Sequence, residues 1–138
     1  GYLLQGMGVL SNSKFTSLLL TSIIFGLMHW INPEVKALGW SVMIFYVGTG
    51  LLYGISTLMD DGMELALGMH AANNIAVSLF ITASWTAVQT DALYIDHAEP
   101  SVGMEMFVPV FIIYPILLII FSRKYQWTDW KEKLTGSV

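Results

Sequence analysis

Two short motifs in this chain carry side chains able to do chemistry: Phe25-Gly-Leu-Met-His29 and His70-Ala-Ala-Asn73-Asn74. Ionisable and amide side chains of this kind are costly against an apolar surround, so they normally face the interior of a bundle and often mark function. Phe25 and His29 are four residues apart, and so are His70 and Asn74, so on helices each pair shares one face. A single histidine among apolar residues serves as readily as a cross-helix hydrogen-bonding group. The repeated four-residue spacing favours a site in which His29, His70 and Asn74 converge on one buried polar cavity. Asn73 lies about 100° around the helix from Asn74 and is equally placed to touch a neighbouring helix. His97, in a polar stretch, is expected to be solvated, and Met63, Met69 and the other methionines read as packing.

The elements that must hold these groups are set by the charges. Of 138 residues, 55% are hydrophobic and 12% charged, against roughly 25% charged in ordinary soluble domains. No Asp, Glu, Lys or Arg occurs between Lys14 and Glu34, Lys36 and Asp60, Glu64 and Asp91, or Glu105 and Arg123. These runs of 19, 23, 26 and 17 residues match the length of about 17–25 residues needed to cross a bilayer. The expected fold is all-α: a polytopic membrane helix bundle of four transmembrane helices at about 15–31, 38–58, 63–85 and 106–121, in one membrane domain over 1–138. Residues 1–9 read as the tail of a preceding helix. Ser11, Asn12 and Ser13 form a polar turn with helix-capping character, and Asn32-Pro33 stops the first span. Gly39, Gly48, Gly50 and Gly54 in the second span suggest close helix packing. Asp60-Asp61-Gly62 is a tight turn, and Pro109 and Pro115 are expected to kink the last span.

Five of the six basic residues fall on one side if the C-terminus is cytoplasmic, with Lys36 alone outside. The acidic stretch 89–103 is then external, and Trp30, Trp40 and Trp85 mark the outer interface. The modest net charge of −4 gives no reason to expect nucleic acid, and the absence of cysteine excludes disulfides and thiolate metal sites. Two histidines without a nearby carboxylate fall short of the three protein ligands usual in a catalytic zinc site, so no metal or other cofactor is expected, although a divalent ion is compatible with the chemistry.

Phe25-x-x-x-His29, a glycine-rich span and His70-x-x-x-Asn74, with the polar turn before the last, resemble the second and third motifs of the CPBP family. These are the CAAX-protease and bacteriocin-processing (Abi) intramembrane proteases. Gly1-Tyr2-Leu3-Leu4-Gln5-Gly6 resembles the segment directly after the arginine of that family's first motif, Glu-Glu-x-x-x-Arg. The resemblance covers the whole chain, read as the C-terminal half of a member with about eight spans. It implies proteolysis within the membrane. His29 would orient a water together with a motif-one glutamate, His70 and Asn74 would hold the oxyanion, Phe25 would pack beside the site, and Asn73 would support it. The partners so implied are a peptide or membrane-protein substrate, the lipid bilayer and the missing N-terminal helices of the same chain; a bacterial plasma membrane is the expected location.

The departure from the pattern is the absence of the glutamate motif. Glu34 is expected in an external loop. Glu64 points roughly 240° around the helix from His70, and Asp61 lies about 13 Å along the axis, so none of the three reads as a substitute. The chain alone is therefore expected to be an inactive fragment. There is also a tension in depth: His29 adjoins Trp30, whereas His70 lies about 22 Å before Trp85 on a straight helix. Other readings of the same residues are a non-catalytic protein on this scaffold, such as a bacteriocin immunity or regulatory factor, and a transporter or a His-ligated haem or metal membrane protein.

Overall fold

A computed structural model describes residues 1–138. Seven α-helices make up most of the chain: α1 (Tyr2–Ser11), α2 (Lys14–Leu27), α3 (Pro33–Leu38), α4 (Val42–Met59), α5 (Glu64–Phe80), α6 (Tyr114–Lys124) and α7 (Trp130–Thr135). Two three-residue strands, β1 (Ile81–Ala83) and β2 (Tyr94–Asp96), pair in parallel, Ile81 opposite Tyr94. The fold is an all-α membrane helix bundle. Val42–Met59 and the continuous helical stretch Met104–Lys124 are each long and apolar enough to cross a membrane. The other two expected spans are shorter helices, of 14 residues in α2 and 17 in α5.

Surface and interior are distributed as a lipid environment requires. The buried apolar side chains are few, among them Leu18, Val42, Leu52 and Met59, whereas Phe111, Ile112, Ile116, Ile119 and Ile120 are exposed along the last long helix. Where lipid is the neighbouring solvent, helices associate through small residues that let backbones approach. The α2–α4 contact is built this way. Ser17, Ser22 and Ser56 are fully buried, and the last two hydroxyls donate to carbonyls one turn back, Ser22 to Leu18 (2.7 Å) and Ser56 to Leu52 (2.8 Å). A Cβ added at Gly50 would lie 3.0 Å from the Ser22 backbone, and one at Gly48 would meet Val110 of the last helix.

The helix ends differ from the expected spans for local reasons. Ser13 caps α2, its Oγ accepting from the Thr16 N–H (3.2 Å), after Asn12 turns the chain in the left-handed region (φ 50°). The helix stops at Leu27 rather than Ile31. His29, Trp30 and Asn32 then bond to carbonyls three residues back, tightening the chain ahead of Pro33. Leu38 does not start the second span: α3 is a separate helix, and Gly39, at φ 74° with open space where a Cβ would sit, is a turn residue and not a packing one. Asp61 (φ 53°) makes the expected tight turn into α5.

α5 ends at Phe80, not Trp85. Ile81 and Thr82 are β-branched and pair with β2, and the Thr82 and Thr86 hydroxyls donate to the Val88 carbonyl (3.2 and 3.1 Å), folding 82–88 into a compact turn. In the last helix the five residues Pro109–Ile113 form a widened π turn. Pro115 lacks an N–H and its ring crowds the carbonyl four residues back, and the wider turn accommodates both. At the other end of the bundle α7 is tied to the α4–α5 turn. The Trp127 indole N–H donates to Asp60 (3.0 Å), and Lys133 Nζ donates to the Met59 carbonyl (3.0 Å) and to Asp61.

Candidate active site

α4 organises the site. Tyr46, Thr49 and Tyr53 recur at i, i+3 and i+7 along one of its faces, while Gly50 and Gly54 set its contact with α2. Because α2 can approach so closely, the turn carrying His29 is pressed against Tyr46: the two rings stack with centroids 4.4 Å apart, inclined by 21°. His70, near the middle of α5, stacks on Tyr53 at 5.5 Å. Phe25 sits among these rings, 4.8 Å from His29, 5.8 Å from Tyr53 and 6.0 Å from His70.

These groups line one cavity of about 550 Å³, which also takes in Asn73, Asn74, Asn32, Glu34 and Tyr114. The two histidines thus reach one space despite the depth mismatch expected from the tryptophans. That expectation assumed that Trp85 lay on the same helix as His70, and α5 ends five residues before it. Asn73 lines the cavity beside Asn74 rather than only a helix contact. His97 is exposed, outside the cavity.

The hydrogen bonds fix the form of several groups. His29 Nδ1 lies 2.8 Å from the Phe25 carbonyl oxygen. A carbonyl only accepts, so Nδ1 carries the proton and, in the neutral ring, Nε2 keeps its lone pair as an acceptor. Thr49 Oγ1 donates its one proton to the Phe45 carbonyl (2.8 Å), so the Tyr114 hydroxyl, 2.8 Å from Thr49, is the donor in that pair. The Tyr46 oxygen accepts from Asn32 Nδ2 (3.3 Å), which leaves its own proton available. No group of three or more His, Asp or Glu side chains is arranged to hold a metal ion.

Glu34, expected in the loop after the first span, lies in α3 of that connection, and the sequence carries no sign that it reaches the cavity. It lines the same cavity, and its Oε1 accepts from the Ala87 N–H (2.8 Å). The tyrosine face of α4 was also missed, although the 46, 49, 53 spacing is visible in the sequence. Nothing in the sequence links Glu34 to Ala87, 53 residues away.

The family of type II CAAX prenyl endopeptidase Rce1-like proteins matches residues 1–76. That segment exceeds half the chain and contains Phe25, His29, His70, Asn73 and Asn74. The chain belongs to this family. The protein YyaK of Bacillus subtilis (strain 168), described as uncharacterized, is 34% identical over 82 residues, covering 59% of this chain and 27% of YyaK. The chain therefore spans little more than a quarter of that relative's length. No solved structure matches.

Proposed function

We propose that this chain carries part of the catalytic centre of an intramembrane endopeptidase of the CAAX-protease type. The observation that carries the reading is the meeting of His29, His70 and Asn74 at one cavity, in a chain of the type II CAAX prenyl endopeptidase Rce1-like family. In this scheme His29 Nε2 accepts a hydrogen bond from the attacking water and orients it toward the peptide carbonyl. The scheme assigns the general base to a glutamate of a Glu-Glu-x-x-x-Arg motif, a sequence these 138 residues do not contain. His70 and the Asn74 amide donate to the oxyanion of the tetrahedral intermediate, and Phe25 keeps the two histidine-bearing segments in register. Preorganised donors of this kind contribute about 3–4 kcal/mol each in other proteases. α2, α4, α5 and the Met104–Lys124 helix are read as the four crossings, with the C-terminus cytoplasmic in a bacterial plasma membrane. The basic residues beyond the last long helix support that orientation.

The test uses the natural full-length gene product in proteoliposomes with a prenylated peptide ending in a CAAX sequence, and tracks release of the C-terminal tripeptide by mass spectrometry. Specific cleavage that His29→Ala abolishes, in protein that still folds, is the expected result. Cleavage that survives His29→Ala would sink the reading.

A further inference from the structure

Glu34 lies in the first turn of α3, five residues after His29, and lines the cavity shared by the two histidines. One carboxylate oxygen is held by the Ala87 N–H, while Oε2 is shielded from solvent and has no hydrogen-bond partner. The lining contains no lysine or arginine, and Lys36, two residues further along α3, is exposed and outside it. A carboxylate oxygen withdrawn from water without a partner is costly, and a cation or an N–H donor brought to it removes that cost. The terminal torsion of glutamate is broad, so a small rotation can present the unpaired oxygen to a donor in the cavity while Oε1 stays on the Ala87 N–H. The Tyr46 and Tyr53 rings on the same wall suit the aliphatic stem of a long basic side chain.

Building on the peptidase reading above, we infer that Glu34 is a substrate-binding residue that selects peptides with a protonated amine or guanidinium beside the scissile bond. The competing role is a purely structural tie to Ala87, and one substitution separates the two. In Glu34→Gln the amide carbonyl still accepts from the Ala87 N–H, while the negative charge is gone.

The experiment measures cleavage by the natural full-length gene product in proteoliposomes. It compares prenylated peptides that differ only by Lys or Gln at the residue directly after the prenylated cysteine. The wild-type protein is expected to favour a Lys peptide by about ten- to a hundredfold, mainly in KM, as a charge-assisted hydrogen bond implies. Glu34→Gln is expected to bring that ratio to about one. No Lys preference in the wild type, or a preference that persists in Glu34→Gln, overturns the proposal. An equal fall in kcat for both peptides also overturns it, because it would place Glu34 in the chemical step. Direct binding of the two uncleaved peptides to the His29→Ala protein gives a second readout that does not need a Glu34 variant to fold. Tighter binding of the Lys peptide supports the proposal, and equal affinity overturns it. Cleavage by His29→Ala itself would refute the peptidase reading and leave the charge preference as a separate result.

Discussion

Adding one methyl group at Gly50 should disturb both the packing and the site. A Cβ there would lie 3.0 Å from Ser22 Cα and from its carbonyl oxygen, and 3.3 Å from Phe25 Cβ. Two of these three are backbone atoms, which cannot rotate away. Carbon atoms rest comfortably about 3.5–4.0 Å apart, so α2 and α4 must part by roughly 0.5–1 Å at this level. Such overpacking costs about 1–3 kcal/mol. Alanine's better helix propensity returns about 1 kcal/mol, leaving a net loss of about 0–2 kcal/mol. The effect on activity should be larger. Phe25 is one of the displaced groups and lies between His29 and the Tyr53–His70 stack, and a shift of about 1 Å in a positioned group can cost about a hundredfold in rate. Thermal unfolding in detergent and peptide cleavage in proteoliposomes measure the two effects. Gly54→Ala meets chiefly the flexible Leu18 side chain and should be milder, and Gly68→Ala meets nothing within 4 Å and should be neutral or slightly stabilising. If Gly50→Ala melts and cleaves like Gly68→Ala, close α2–α4 packing does not set the site geometry.

Tyr46→Leu removes the ring stacked on His29 and should lower kcat about a hundredfold with little change in KM, whereas Tyr46→Phe keeps the stack and should retain most of the activity; equal losses in the two variants would show that the hydroxyl, not the stack, matters. His70→Ala and Asn74→Ala should each lower kcat by about 10²–10³ while leaving KM nearly unchanged, measured with the same peptide assay. A rise in KM at constant kcat would assign them to ground-state binding instead. Trp127 is buried and bonds Asp60, so Trp127→Ala should destabilise the fold by about 3–5 kcal/mol. Trp127→Phe, which loses chiefly the hydrogen bond, should cost about 1 kcal/mol, and denaturant unfolding in micelles would distinguish the two.

The class of the molecule and the histidine and asparagine pairs are legible in the residues alone. Charge-free runs long enough for a bilayer leave little choice but apolar helices, and a four-residue spacing puts Phe25 with His29 and His70 with Asn74 whatever lies around them. Local chemistry likewise made the Ser13 cap and the Asp60-Asp61-Gly62 turn legible. Helix ends were less legible, because their causes are partly distant: Ile81 and Thr82 leave the helix to pair with residues 94–96. Which groups share the cavity depends on how the helices pack. The tyrosine stripe of α4 becomes part of the site because the small residues between α2 and α4 let the backbones meet. Glu34 joins it because the turn after α5 folds back and presents the Ala87 N–H to a carboxylate 53 residues earlier. Periodicity records which residues share a face of one helix. It carries no information on which faces of different helices meet, because that depends on the summed packing of segments far apart in the chain.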